Sequence, residues 1–232
     1  MEFTLLAAAL TGGVGVWLAL RLLGQAPEFD RLLGAAAVGL FAGRLVAMVG
    51  AGVNPLANPF DVLIVRGGVS TVGATAGSLA YLAWSARHDL RILDAVSPAV
   101  LAGLSGWHAG CLWRGTCLGA ATELPWGWAL AGSDVTRHPV ELYAAVLLAL
   151  GAWALTRIHR PIGVEASLAL AAAAGARLVT EPLRPSLTGG PVWWYAAAVG
   201  IGIGGAILLD RIASEEAAVA RKPPTAPDPG RD

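Results

Sequence analysis

The chain has 232 residues and no net charge; 56% of its residues are hydrophobic and only 14% are charged. Soluble domains carry about 25% charged residues, so this composition, with a mean hydropathy of +0.62, predicts an integral membrane protein. The lack of a basic block argues against nucleic-acid binding. Two cysteines are too few for a fold built on disulfides, and their spacing does not indicate a zinc site.

Apolar runs that approach the length of a membrane span recur along the chain. About 20 residues cross a hydrocarbon core of about 30 Å, and seven segments come close to that length: 4–24, 33–53, 67–86, 93–113, 138–156, 163–181 and 191–210. The first run is long and lacks the basic start of a cleavable signal peptide. We therefore expect an all-α integral membrane protein with about seven transmembrane helices in one membrane domain, 1–211. Its polar, proline-rich end, 212–232, is expected to be a disordered cytoplasmic tail.

The basic residues predict the orientation of these helices. The connections on one side carry Arg21, Arg31, Arg87, Arg91, Arg157, Arg160, Arg211, Arg221 and Lys222. Those on the other side carry Arg66, Arg114, Arg137 and Arg184. Because lysine and arginine are in excess on the cytoplasmic side of membrane proteins, we expect the N-terminus outside and the C-terminus in the cytoplasm.

Two of the predicted spans contain an arginine within the apolar run. Arg44 in the second span has no nearby acid in the sequence, so it must meet an acidic partner or a polar cavity. Arg177 and Glu181 lie four residues apart at the outer end of the sixth span, on one helix face. They form either a buried ion pair that holds helices in register or part of a phosphate site.

Glycines have two interpretations in this chain. In the C-terminal span, the cluster 200–205 is typical of helices that approach each other closely. Gly67 and Gly68, by contrast, stand beside Ser70 where the third span begins. Backbone N–H groups at a helix start bind anions, so this segment is a candidate anion site.

A polar island, residues 107–143, separates the fourth and fifth spans. It holds both cysteines, two of the four histidines and four of the nine tryptophans. Polar groups held near lipid are costly and are more often found where a polar substrate is handled. Its histidines, His108 and His138, are the default general acid or base. Cys111 and Cys117, considered as thiols in apolar surroundings, are weaker candidates.

The end of the island also has two interpretations. Pro139 suits a first helical turn, and His138 and Glu141 then share one helix face. The segment with Tyr143 is either a helix start with an interfacial tyrosine anchor or part of a substrate site.

Several segments of the chain resemble the prolipoprotein diacylglyceryl transferase family, and the similarity covers about residues 34–185. Its carriers occur in the expected order: Gly43-Arg44-Leu45, Arg66-Gly67-Gly68-Val69-Ser70, Leu93-Asp94 with Pro98, Gly110 through Gly119, Arg137-His138-Pro139-Val140-Glu141-Leu142-Tyr143, and Arg177-Leu178-Val179-Thr180-Glu181 with Leu183-Arg184. Two pieces differ. Val72 stands where the family commonly has histidine, and loop 108–116 lacks the usual arginine, asparagines and acid.

The resemblance implies a transferase of lipoprotein biosynthesis in the bacterial plasma (inner) membrane, with its site facing the outer leaflet. Such an enzyme moves the diacylglyceryl group of phosphatidylglycerol to the lipobox cysteine thiol of a preprolipoprotein, without cofactor or metal. The expected catalytic residues are His108, His138, Arg177 and Glu181. The expected substrate-binding residues are Arg44, Gly67, Gly68, Ser70, Arg114, Arg137, Glu141 and Tyr143.

Other functions are compatible with the same pattern. A non-catalytic lipid-binding or transport protein on this scaffold would explain Val72, although paired broken helices typical of many transporters are not evident. A membrane thiol oxidoreductase that uses Cys111 and Cys117 is a third possibility.

Overall fold

The computed structural model describes residues 3–57, 60–63, 68–114, 117–129, 132–184 and 192–220. This part of the chain is mainly helical, as the sequence predicted. Its helices are α1 (Phe3–Leu22), α2 (Phe29–Gly50), α3 (Phe60–Leu63), α4 (Thr71–Ser85), α5 (Arg91–Ala109), α6 (Cys111–Arg114), α7 (Val140–Leu155), α8 (Val164–Thr180) and α9 (Val192–Ala220). Short 3₁₀ turns cover Ala26–Glu28 and Glu181–Leu183, and β1 (Trp128–Ala129) pairs antiparallel with β2 (Thr136–Arg137).

Each of the seven predicted apolar segments coincides with a long helix: α1, α2, α4, α5, α7, α8 and α9. By length and composition, two stretches of the described chain qualify as membrane spans, Ala26–Gly50 and Val192–Ala220. Helix α9 runs through the first nine residues of the segment predicted to be a tail, because Ala and Glu in 213–220 favour helix. Residues 221–232, the rest of that predicted tail, lie outside the described residues.

Neighbouring helices pack antiparallel through small residues. The start of α1 lies against the end of α5, where a Cβ on Gly106 would meet the Thr11 carbonyl oxygen at 2.4 Å. The end of α2 lies against the start of α4, and a Cβ on Gly43 would meet the Ser70 carbonyl oxygen at 2.8 Å. In the C-terminal cluster, Gly202 makes an equally close approach to α8, which confirms the interpretation of that residue.

Helix α5 is the central element. One buried cluster joins α5 to α7 and α8 through Leu101, Leu148 and Ala169. A second joins α5 to α1 and α2 through Val96, Leu20 and Leu32. The helix continues through Pro98, which is buried within it.

The start of α5 also caps α8. Both carboxylate oxygens of Asp94 accept backbone N–H groups there, from Gly163 at 2.6 Å and Ala166 at 2.8 Å. These bonds satisfy donors that a helix start otherwise leaves unpaired. With the antiparallel packing, this contact fixes which ends lie together: the ends of α5 and α8 meet the starts of α7 and α9.

Candidate functional site

Two glutamates, two arginines and a histidine meet where these helix ends come together. We call them the charged cluster: His108, Glu141, Arg177, Glu181 and Arg184. His108 comes from the end of α5, Glu141 from the first turn of α7, and Arg177 from the last turn of α8. Glu181 and Arg184 lie in and just after the 3₁₀ turn that follows α8. The cluster thus combines residues from three segments distant in sequence.

Glu141 bridges two partners, His108 and Arg184. Its Oε2 lies 2.5 Å from Nδ1 of His108, and its Oε1 accepts a hydrogen bond from Arg184. All three side chains are largely shielded from solvent. A carboxylate bonded to one imidazole nitrogen fixes the tautomer and orientation of the ring, so Glu141 can prepare His108 to accept a proton at its other nitrogen.

Glu181 joins the two arginines of the cluster. Its side chain is only 6% exposed. Nη2 of Arg177 donates to Oε2 of Glu181 at 3.2 Å and to the Tyr195 hydroxyl on α9 at the same distance. Nε of Arg184 lies 3.6 Å from the same Glu181 oxygen. The buried carboxylate therefore holds two guanidinium groups close together.

Arg184 has unused hydrogen-bonding capacity. Among the described residues, its buried Nε and Nη2 atoms have no hydrogen-bond acceptor. A guanidinium donates in a planar fork that suits a phosphate oxygen pair, so Arg184 is a candidate for contact with an anion. Sequence analysis included Arg184 in a segment that resembles the family but did not predict it as a site residue. Its spacing of three residues from Glu181 could have indicated the pairing.

His138 and Tyr143 form a second group beside the cluster. The Tyr143 hydroxyl accepts a hydrogen bond from Nε1 of Trp126 at 2.8 Å and lies 3.4 Å from Nδ1 of His138. Arg137 donates to the Gly119 carbonyl at 3.1 Å. Although His138 and Glu141 were expected on one helix face, α7 begins at Val140, so His138 precedes the helix and bonds elsewhere.

A segment that we call the strap, residues 117–122, connects the helix ends through its main chain. It bonds to both sides: Gly119 N–H to the His138 carbonyl at 2.8 Å, and Ala120 N–H to the Leu183 carbonyl at the same distance. A Cβ on Gly119 would meet the Leu183 carbonyl oxygen at 2.2 Å. Only glycine therefore allows the strap to lie this close to the end of α8.

Cys111 and Cys117 form a disulfide. Both are buried. The sequence left the role of these cysteines open and ranked them as weaker catalytic candidates; in the structure Cys111 begins α6 and bonds to Cys117, six positions later. The sequence spacing alone did not indicate this pairing.

Arg44 lies in a different setting from the charged cluster. Its guanidinium, 6% exposed, donates to the carbonyl of Asp61 at 3.0 and 2.9 Å and to that of Gly68 at 3.1 Å. Main-chain carbonyls are thus among the partners of the Arg44 guanidinium. These bonds tie α2 to the segment before α4.

The predicted anion site at α4 is partly described. The Ser70 hydroxyl caps the helix by accepting the Gly73 N–H at 3.3 Å, and Gly68 has a φ of +80°. Gly67 lies outside the described residues, as does the side chain of Arg114. Val72, exposed in the first turn of α4, supplies no ionisable group.

A shallow apolar cavity, widely open at the surface, lies beside the charged cluster between α7 and α8. Its volume is about 320 Å³. Its walls are Tyr143, Val146, Leu147, Val179, Thr180 and Leu183. Tyr143 belongs to the polar group described above, and Leu183 adjoins Arg184. The arrangement therefore places a hydrocarbon-lined space next to paired arginines.

Several curated proteins are similar to this chain, and each bears the name phosphatidylglycerol–prolipoprotein diacylglyceryl transferase. The protein from Cupriavidus necator is 30% identical over 56% of this chain and 52% of its own length. That from Pseudoalteromonas atlantica is 32% identical over 52% and 46%, respectively. That from Idiomarina loihiensis is 33% identical over 56% and 52%.

The chain spans about half the length of the curated relatives it matches. A family model described as prolipoprotein diacylglyceryl transferase covers much more of it, residues 4–208. That match includes every residue of the charged cluster, the strap and the disulfide. The chain therefore belongs to the prolipoprotein diacylglyceryl transferase family, a family of membrane proteins.

Proposed function

We propose that this protein transfers the diacylglyceryl group of phosphatidylglycerol, or a similar anionic lipid, to the lipobox cysteine of a preprolipoprotein. The observation that carries the proposal is the charged cluster, in which two arginines and a histidine–carboxylate pair lie beside an apolar cavity. Membership of the family and the names of the relatives support the same activity.

The transfer step makes one carbon–sulfur bond and breaks one carbon–oxygen bond. The cysteine sulfur attacks the glyceryl carbon that bears the phosphate, a C–S thioether bond forms, and the C–O bond to phosphate breaks. The thiol must first lose its proton, because the thiolate is the nucleophile. Glycerol phosphate leaves with the electron pair of the broken bond.

We propose that His108 accepts the proton of the cysteine thiol. Val72 occupies the family's usual histidine position and cannot accept one. Glu141 holds Nδ1 of His108 and stabilises the imidazolium that forms. His138, which lies near Tyr143, is the second candidate for this role.

The arginines of the cluster act on the phosphate. Negative charge grows on the leaving group, and preorganised cations stabilise it best where water is excluded. Arg177 and Arg184 are already oriented by Glu181, and among the described residues Nε and Nη2 of Arg184 have no hydrogen-bond acceptor. Arg137 and Tyr143 at the start of α7 are assigned to the headgroup, and the apolar cavity to an acyl chain of the donor.

Arg44, Gly67, Gly68, Ser70 and Arg114 retain the substrate-binding role predicted from the sequence. For Arg44 and Ser70 we propose an indirect role. Their bonds to main-chain groups hold the segment at the start of α4 in place.

We further propose that all seven long helices span the bacterial plasma membrane and that the cluster faces the outer leaflet. Two features support this orientation. Arg21, Arg87 and Arg157 lie at the ends of α1, α4 and α7, away from the cluster, as expected for the cytoplasmic side. The disulfide lies at the cluster end, and disulfides persist in oxidising compartments.

The test uses membranes that contain the full chain, labelled phosphatidylglycerol and a lipobox peptide, and scores the thioether product. We expect product from the wild type. Arg177→Ala should abolish it, and should abolish complementation of a transferase-depleted strain while the protein still accumulates.

The matched control is Arg157→Ala, which removes an arginine at the opposite end and should leave transfer intact. Full growth with Arg177→Ala would refute the assignment. Lipid binding by the wild type without any product would favour the non-catalytic alternative on the same scaffold.

A further inference from the structure

We propose that the Cys111–Cys117 disulfide positions His108 against Glu141, so that catalysis requires this pair to be oxidised. The inference rests on the proposed function and concerns the same site. It makes the two cysteines positioning residues, because neither sulfur belongs to the charged cluster; they act through the segments that carry its members.

The disulfide closes a short path around the histidine–carboxylate pair. His108 lies three residues before Cys111 at the end of α5. Cys117 starts the strap, and its carbonyl accepts the Glu141 N–H at 3.3 Å. Since Glu141 contacts His108 at 2.5 Å, a covalent bridge and one main-chain hydrogen bond link the two partners independently of their side-chain contact.

The strap connects the disulfide to the starts and ends of the other helices at the site through main-chain hydrogen bonds. Its residues bond to the carbonyl of His138 before α7 and to the carbonyl of Leu183 after α8. Leu183 precedes Arg184, the second partner of Glu141. Opening the bridge therefore weakens the main-chain constraint on Glu141 and on Arg184.

The effect is local rather than global. The stabilisation from a disulfide grows with the length of the loop that it closes, and this bridge spans only six positions. Its anchor is firm, because the Gly110 turn is pressed against α1, where a Cβ on Gly110 would meet Cα of Ala8 at 2.5 Å. The bridge therefore ties the start of the strap to a closely packed contact between α1 and the end of α5.

The test compares oxidised protein, protein reduced by dithiothreitol, and reduced protein whose thiolates have each displaced a bromide from dibromomethane. The last has a methylene bridge that dithiothreitol cannot cleave. All are full chains in lipid nanodiscs of phosphatidylglycerol and phosphatidylcholine. Two readouts are made: transfer kinetics with a lipobox peptide, and hydrogen exchange of backbone amides.

We expect reduction to remove exchange protection at Gly119, His138 and Glu141 and to leave the α2–α4 pair unchanged. A displacement of about 1 Å can cost about 10²-fold in rate, so kcat should fall about 10- to 100-fold with little change in KM for the lipid. The methylene bridge should restore both protection and kcat in the presence of dithiothreitol. The double variant Cys111→Ala/Cys117→Ala should behave like reduced protein.

Unchanged protection after reduction would overturn the inference, and so would lost protection with an undiminished kcat. If the oxidised protein forms no thioether at all, the proposed function fails. The exchange data then still decide whether the disulfide holds the strap and Glu141 in place.

Discussion

Glu141 determines the geometry of the charged cluster at the scale of single residues. Its two carboxylate oxygens bind different partners, His108 from α5 and Arg184 from the turn after α8. One side chain thus connects the group assigned to the proton with a group assigned to the phosphate. Its loss should affect both partners.

We predict that Glu141→Gln lowers kcat for diacylglyceryl transfer by about 10²-fold, the lower end of what acid–base catalysis contributes. The amide keeps the shape but cannot stabilise an imidazolium. The measurement is a double-mutant cycle with His108→Asn. If the pair acts as a unit, adding Glu141→Gln to His108→Asn should cost little more. Additive losses would contradict the pairing.

The sequence indicated part of this site. Arg177 and Glu181 are a pair because they lie one helical turn apart, and that pairing is present. The partners of Glu141 lie 33 and 43 residues away, so they depend on how α5, α7 and α8 pack. The disulfide was not predicted either, since a spacing of six residues does not by itself say whether two cysteines bond.

At the scale of elements, glycine contacts set the spacing of the helices that deliver these residues. On α1 and α5 the contact is backbone against backbone, with Gly106 facing the Thr11 carbonyl. A carbonyl cannot rotate away as a long side chain can. The apolar runs predicted the helices, but only the structure shows which glycines are in contact.

We predict that Gly106→Ala destabilises the protein by about 1–3 kcal/mol, the usual cost of overpacking. The matched control is Gly13→Ala on α1, where a Cβ meets nothing within 4 Å. That change should be neutral or stabilise by up to about 1 kcal/mol, since alanine favours helix. The measurement is the thermal unfolding midpoint in one detergent. Equal midpoints for the two variants would refute the close contact.

At the scale of the whole molecule, the two ends of the helix bundle differ in chemistry. One end carries the charged cluster, the strap and the disulfide. At the other, three arginines lie over the rings of nearby tryptophans: Arg21 over Trp17, Arg87 over Trp84 and Arg157 over Trp153. The distance from guanidinium carbon to ring centroid is 4.6–5.2 Å. Arginine and tryptophan together are typical of a membrane interface.

We predict from this asymmetry that a fluorescent protein fused to the C-terminus is bright, because it folds in the cytoplasm. Alkaline phosphatase fused after residue 135, on the opposite side, should be active, because it folds after export. Both fusions are measured in intact cells. A dark C-terminal fusion with an inactive phosphatase fusion would reverse the proposed orientation.

The placement of Glu181 between Arg177 and Arg184 has a consequence for how any ligand enters. Both guanidinium groups already hold a carboxylate, so an incoming phosphate does not fill an empty cation site. We expect it to bind the Arg184 N–H groups that lack an acceptor among the described residues and to compete for Arg177 with an anion that belongs to the protein. Such a site gains little from binding the ground state and more from a leaving group whose charge is still growing.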